Sequence, residues 1–286
     1  MDKNLEKPKV SIVIPTYNSS ETLAECLKSI HEQYYPFHEV IVVDNFSSDN
    51  TIKIATKFGA RIMQRKCNPA LARNIGVANS TGKYILFLDS DQVLSPSVVE
   101  ECVRKCESER FGMIRIPEVF IGKNFWNSCS AIWKNCYQKV EQCRTSENVI
   151  RGEPRFFVKS QIIRAGMLNV TLLWGENYDL YNKLEKMDIR ETSCKSKLCH
   201  YEPTSVRKIL VKNLRYGKSM PIFVRYTRKQ IFKLMFKHSL LTFSEVFKNF
   251  KKSPATIWGC SVLLCLKTYS MVFGLLIGLI FPIDER

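Results

Sequence analysis

Asp89 and Asp91 are two carboxylates one residue apart, and they close an apolar run, Tyr84-Ile85-Leu86-Phe87-Leu88. Packing asks for no acid at the end of a buried strand. Strand alternation would set both carboxylates on one side, where they repel unless a cation lies between them. Mg²⁺ or Mn²⁺ suits that position, because hard divalent cations take carboxylate oxygens and keep phosphate oxygens among their other ligands. The competing reading is a solvated turn or helix N-cap, which Asp and Ser both favour. A second acidic pair, Glu176 and Asp179, stands three residues apart. At a helix start that spacing shares a face, so the two could enter one cleft or merely stabilise the helix N-terminus.

The elements that must position these residues are legible in the first hundred positions. Val10–Pro15 reads as a buried strand, and Glu39–Asp44, Arg61–Gln64 and Tyr84–Leu88 as three further strands. Between them, 20–33, 49–58 and 70–79 carry apolar residues at helical spacing, with Ser20 as a plausible N-cap for the first. Strands alternating with amphipathic helices predict an α/β fold, a mostly parallel sheet covered on both faces. Ligands of such sheets bind at the carboxyl ends of the strands. Those ends carry Pro15-Thr16-Tyr17-Asn18, Asp44-Asn45-Phe46-Ser47 and Asp89-Ser90-Asp91. Neither a Gly-x-Gly-x-x-Gly turn after the first strand nor a P-loop occurs, so a bound phosphate would have to be neutralised by a metal.

Composition bounds the rest. The 286 residues allow one large domain with an appendage. Met1 to Lys9 is charged and lacks the pattern of a secretory signal, and the eleven cysteines show no metal-ligand spacing. Both point to reduced thiols in a cytosolic compartment. Trp126, Cys129, Trp133, Cys136, Val140 and Cys143 mark the buried seam of a helix. Thirteen Lys or Arg against the single acid Glu245 lie between Thr204 and Lys252, so that segment holds +12 of the net +16. Nucleic acid or an anionic membrane surface would suit it. No nucleic-acid-binding motif accompanies the charge, and the next 27 residues, Ile257–Ile283, carry only Lys267. That run is long enough to span a bilayer or to lie in it, although a mid-run Lys costs about 2.5–3.5 kcal/mol on insertion scales. Gly274 and Gly278 suit a close helix contact. The basic flank places the remainder of the chain on the cytoplasmic side.

Taken in order, the motifs resemble those of family 2 glycosyltransferases, inverting enzymes of the GT-A fold that use nucleotide-activated sugars. The resemblance runs through Val10–Asn18, Val40–Thr51, Ala72-Arg73-Asn74-Ile75-Gly76, Thr81–Asp91, Gly175–Leu180 and His200, and covers roughly residues 9 to 205. It implies that Pro15, Thr16 and Tyr17 wrap the base and ribose, and that Asp44 contacts the base. It implies that Arg73 reaches the nucleotide. Asp91 becomes the direct ligand of Mg²⁺ or Mn²⁺, with Asp89 near the ribose or bridging through water, and His200 a third metal or diphosphate contact. The family commonly places its catalytic base directly after the Glu of this last motif, where the chain has Asn177, an amide that cannot accept the proton. Glu176 is then the first choice of base and Asp179 the second.

The resemblance implies a nucleotide-diphosphate sugar as donor and a lipid-linked or surface-glycan acceptor. A polyprenyl-phosphate sugar synthase and a non-catalytic sugar-nucleotide-binding protein are the alternatives. Arg155 and Arg164 read either as contacts to an anionic acceptor or as surface charges. The expected organisation is a GT-A domain over 1–205, a basic helical membrane-surface segment over 206–253 and a hydrophobic membrane-associating segment over 254–286.

Overall fold

The computed structural model describes residues 7–142, 154–172, 175–226, 230–251 and 253–281. In chain order the elements are β1 (Val10–Thr16), α1 (Leu23–His31), β2 (His38–Asp44), α2 (Thr51–Lys57), β3 (Arg61–Gln64), α3 (Pro69–Ala78) and β4 (Tyr84–Phe87). They continue with β5 (Gln92–Leu94), α4 (Val98–Glu109), β6 (Met113–Arg115), β7 (Glu118–Ile121), α5 (Phe125–Gln142), β8 (Phe156–Val158) and α6 (Lys159–Arg164). The last are α7 (Glu176–Glu185), β9 (Glu191–Ser193), β10 (Leu198–Tyr201), α8 (Val206–Tyr226), α9 (Gln230–Phe250) and α10 (Pro254–Ile280). Two compact units result. The first comprises Met1–Glu118, Glu153–Val170 and Glu176–Cys199, the second Val119–Gly152, Thr171–Gly175 and His200–Arg286.

The first unit is built on a seven-stranded sheet of order β3-β2-β1-β4-β8-β6-β9. Its first four strands are parallel, with Thr16 opposite Asp44 and Asp44 opposite Gln64, so their carboxyl ends share one edge. Beyond β4 the sheet becomes mixed, since β8 runs antiparallel to both β4 and β6. The strand period of two sorts the core. Ile12, Ile14, Val42, Tyr84 and Leu86 face α1 and α4, whereas Val13, Ile85 and Phe87 join Phe157, Ile162 and Leu180 on the other face. Each fully buried aliphatic or aromatic side chain contributes about 1.5–3 kcal/mol, so both faces are committed to the interior.

Helix limits are narrower than the hydrophobic periodicity predicts, because α1 starts at Leu23 and α2 at Thr51. Ser20 is not the cap of α1. Thr22 occupies that position without a side-chain cap bond, and the Ser20 amide donates to Asp49 Oδ2 at 3.0 Å instead. α3 does start on a side-chain cap, with Asn68 Oδ1 accepting from the Leu71 amide at 2.9 Å and Pro69 in the first turn.

In the second unit Cys129 and Cys136 of α5 are buried with Ile209, Val246, Cys260 and Leu263, and Trp126 and Trp133 pack beside them. The seam is therefore core, as its seven-residue spacing predicts; Cys143 lies outside the described residues. α10 is one uninterrupted helix of 27 residues, about 40 Å long. It runs alongside α8 in the same direction. The Ser270 hydroxyl donates to the Leu210 carbonyl at 2.7 Å, and a Cβ on Gly274 or Gly278 would lie 2.2 or 2.4 Å from the carbonyl oxygen of Leu214 or Lys218. Only glycine allows that approach, which is what the Gly274/Gly278 spacing predicts.

Lys267 turns inward, and its ammonium donates to Ser130 Oγ at 2.7 Å. Ser130 donates in turn to Glu202 Oε2 at 2.6 Å, and Lys134 reaches Glu202 Oε1 at 2.5 Å. The one charge of the apolar run is thus satisfied by protein.

Candidate active site

The loops after β1 and β2 are laced together by two carboxylates. Asp44 is fully buried, accepting from the Thr16 hydroxyl at 2.8 Å, the Ser47 hydroxyl at 2.5 Å and the Ser47 amide at 2.8 Å, with Gln64 Nε2 at 3.4 Å. Asp49 accepts from the Ser20 and Thr51 amides at 3.0 Å. Burial alone would raise its pKa, but the hydrogen bonds from Thr51 and Ser20 win and hold it well below the usual carboxylate range. Asn18 and Phe46 take left-handed backbone in these turns, with φ of 49° and 54°. Asn18 stays there because its amide donates to Ser47 Oγ and its side chain accepts from the Ser48 amide. Pro15 is half-buried and Thr16 buried, while the rings of Tyr17 and Phe46 are 55% and 59% exposed.

Asp89 and Asp91 lie past the end of β4. The chain turns there, with the Gln92 amide donating to the Asp89 carbonyl at 3.0 Å and the Asp89 amide donating to Gln92 Oε1 at 2.9 Å. Strand alternation therefore does not govern the pair. Nor does Asp89 lack cations of its own: Arg73 Nη2 donates to Oδ1 at 2.7 Å and Arg155 Nη1 to Oδ2 at 3.3 Å. Under the turn, Cys26 Sγ sits 3.6 Å from the Asp89 carbonyl oxygen. Burial, then the charges of Asp91 and Asp89, push the Cys26 thiol far up, so it remains a neutral packing group.

Arg73, which the resemblance assigns to the nucleotide, is a buried ion-pair partner on α3. It is 4% exposed, because α3 lies hard against β1; a Cβ on Gly76 would come 2.2 Å from Val13 Cγ1. Its other nitrogen, Nη1, donates to Glu176 Oε1 at 2.8 Å, and its Nε is buried without a hydrogen-bond partner. Burial opposes the guanidinium charge, but Asp89 and Glu176 outweigh it and raise the pKa. The next residue, Asn74, is architectural: its amide exchanges two hydrogen bonds with the Leu168 backbone.

Arg155 continues the chain of charges to Glu118, with Nε and Nη2 each 2.6 Å from Oε1. The result is an alternating lattice, Glu176–Arg73–Asp89–Arg155–Glu118, whose side chains are 5–28% exposed with Asp89 the most open. Glu118 carries no motif signal, and only its place at the start of β7 brings it here. Arg155 is a partner of Asp89 rather than a loose surface charge, whereas Arg164 is exposed.

The structure thus brings Asp89, Arg73 and Glu176 together. Asp179, one helical turn along α7, pairs with Lys183 at 2.7 Å. His200 belongs to the second unit, where its ring stacks on Phe120 with centroids 4.9 Å apart. Among the described residues, no group of three or more His, Cys, Asp or Glu stands ready to hold a metal ion. Asp89 and Asp91 on one tight turn still fit Mg²⁺ or Mn²⁺, since such ions are held by one or two carboxylates when phosphate oxygens complete the shell.

Comparison with known proteins bears on the family and the fold. The profile described as Glycosyl transferase family 2 matches residues 11–163, just over half of the chain. A putative glycosyltransferase EpsE of Bacillus subtilis is 35% identical over 111 residues, 36% of this chain and 40% of that protein. Such matches span between 18% and 40% of the lengths of the curated relatives. The fold is shared with mannosyltransferase PcManGT of Pyrobaculum calidifontis, solved with GDP-Man and Mn²⁺, at a TM-score of 0.61 and 17% identity over 96% of this chain and 88% of that one. Staphylococcus aureus TarS 1-349 in complex with UDP-GlcNAc superposes at a TM-score of 0.54 and 15% identity, over 97% and 95% of the two chains. With the profile extending from β1 through the Asp89-Ser90-Asp91 turn to α6, the chain belongs to glycosyl transferase family 2.

Proposed function

We propose that this protein transfers a sugar, with inversion, from a nucleotide-diphosphate sugar to a lipid-linked or surface-glycan acceptor at a membrane. The observation that carries the reading is the ion-pair lattice. Arg73 holds Asp89, 16 residues away in sequence, and Glu176, 103 residues away, in one buried fork. A candidate donor-binding carboxylate and a candidate base are thereby fixed relative to each other, which is what a single displacement step requires. The loop Pro15–Tyr17 receives the base and ribose. Asp91, with support from Asp89, would hold Mg²⁺ or Mn²⁺, which when bound would supply positive charge beside the donor's diphosphate. Arg73 orients the Glu176 carboxylate, which takes the proton of the acceptor hydroxyl as it attacks. Asp179 is the second candidate for that proton.

Membrane placement is supported by α10, which is long and apolar enough to cross or enter a bilayer, and the basic residues before it favour the cytoplasmic side for the catalytic part. The deciding experiment offers labelled UDP- and GDP-sugars with Mn²⁺ to the full chain and purified membranes, and follows label into a lipid fraction. Transfer that Glu176→Gln abolishes and wild type sustains supports the reading. Donor binding without transfer by wild type would instead favour a non-catalytic sugar-nucleotide binder, consistent with Asn177. Label on a polyprenyl phosphate itself would identify a polyprenyl-phosphate sugar synthase.

A further inference from the structure

Phe46 stands in the turn after β2 with φ of 54°, in the left-handed region, and its ring is 59% exposed. Glycine or asparagine takes that backbone readily, whereas a bulky aromatic residue is strained there. The core gains nothing from a ring that stays in solvent. The turn is also held on both sides of Phe46. Asn45 Oδ1 accepts from the Cys67 amide at 3.1 Å, and the Ser47 amide and hydroxyl donate to buried Asp44. The Ser48 amide donates to Asn18 Oδ1 at 2.9 Å. A strained residue with no benefit to the fold therefore persists on a rigid support, and such outliers cluster where ligands are clamped.

Its place in the fold decides what the ring meets. The Asn45 amide donates to the Thr16 carbonyl at 2.9 Å and the Asn18 amide to Ser47 Oγ at 2.8 Å, so Thr16–Asn18 runs beside Asn45–Ser47. Tyr17 and Phe46 are the middle residues of these two stretches, and both rings are exposed. They stand at the carboxyl edge of the parallel strands, where such sheets bind ligands. The Ser90 hydroxyl donates to Ser19 Oγ at 2.9 Å, which ties the loop after β1 to the Asp89-Ser90-Asp91 turn. Asp44 lies buried beside the rings with both oxygens engaged: Oδ1 takes the Thr16 and Ser47 hydroxyls, and Oδ2 takes the Ser47 amide and Gln64 Nε2. The carboxylate holds the loops together and leaves the faces of a planar ligand to the aromatic rings.

We propose that Phe46 is a stacking residue for the nucleobase of the donor, which it holds together with Tyr17. This assignment rests on the nucleotide-sugar reading above and adds a contact to it. Every base offers a π-face, so the ring strengthens binding without choosing among bases.

The test measures, by calorimetry with Mn²⁺, the binding of UDP, GDP, CDP, ADP and dTDP to the full chain, with inorganic pyrophosphate as the base-free probe. Phe46→Gly and Phe46→Asn both suit the left-handed backbone, so the melting temperature should hold or rise. Affinity for whichever nucleotides wild type binds should fall about fivefold to a hundredfold, while pyrophosphate affinity stays at the wild-type value. Phe46→Tyr should retain the nucleotide affinity. Unchanged nucleotide affinity in the Gly and Asn variants overturns the assignment and leaves donor binding standing. An equal loss for nucleotide and pyrophosphate also overturns it, since Phe46 then only shapes the loop. Wild type that binds none of the nucleotides overturns the donor reading and this assignment together.

Discussion

Each unit buries a network of charges, and the two are built to different ends. In the second, Lys134, Ser130, Glu202 and Lys267 close on one another. The Glu202 side chain is 2% exposed, and its two oxygens are taken by Lys134 and Ser130. In the first, Glu176, Arg73, Asp89, Arg155 and Glu118 run in a line whose middle member, Asp89, remains 28% exposed beside Asp91. The closed network solves a packing problem, the burial of a lysine within an apolar helix. The open one has a carboxylate excess facing outward at the carboxyl edge of a parallel sheet. Buried ion pairs alone are weak evidence of function, since desolvation offsets most of their attraction. What separates the two networks is the side left open.

Breaking the open network at its centre should have the largest effect. Arg73→Met leaves Asp89 and Glu176 without their shared guanidinium and should destabilise the first unit by about 3–5 kcal/mol, read by denaturant titration. Asp91→Asn lies at the rim and should separate function from stability. Metal-dependent transfer falls about 10²–10³-fold, while the unfolding midpoint stays within ~0.5 kcal/mol of wild type. If Asp91→Asn instead unfolds the protein, the open network is structural like its counterpart.

In the closed network, Lys267→Met should cost less than about 1 kcal/mol, because Lys134 still pairs with Glu202 and Met suits an apolar helix. A loss of several kcal/mol would show that Lys267, not Lys134, balances Glu202. The smallest effect is set by pH. Burial would raise the Glu202 pKa, but Lys134 and Ser130 win and lower it. A carboxyl depressed in the folded state adds stability above its unfolded pKa, near 4.3, and loses it as pH falls through the folded value. Thermal melts from pH 6 downward should therefore show an acid loss that Glu202→Gln lacks.

The order β1, β2, β3, β4 and their polar ends could be read from alternation of β-branched runs with amphipathic helices, since the inner strands β1 and β4 bury both faces. The mixed half of the sheet could not. β6, β8 and β9 are three residues each, too short to carry a period. Ser20 misled as a cap because α1 begins at Leu23, with Thr22 in the cap position. Glu118 and Cys26 were invisible as site neighbours because only contacts between distant segments bring them to Asp89 and its partners.

Local sequence by itself determined the strand ends, the acidic pair Asp89 and Asp91 after the fourth strand, the apolar run of α10 and the glycine pair within it. These depend on side-chain period, turn chemistry and the absence of charge, all of which act over a few residues. Only the tertiary structure decided that Arg73 is buried, that it joins Asp89 to Glu176, that Arg155 closes on Asp89, and that Lys267 faces protein. Those outcomes come from contacts between segments up to 137 residues apart. The energy of a charge is set by what the fold packs around it, and no local pattern records that.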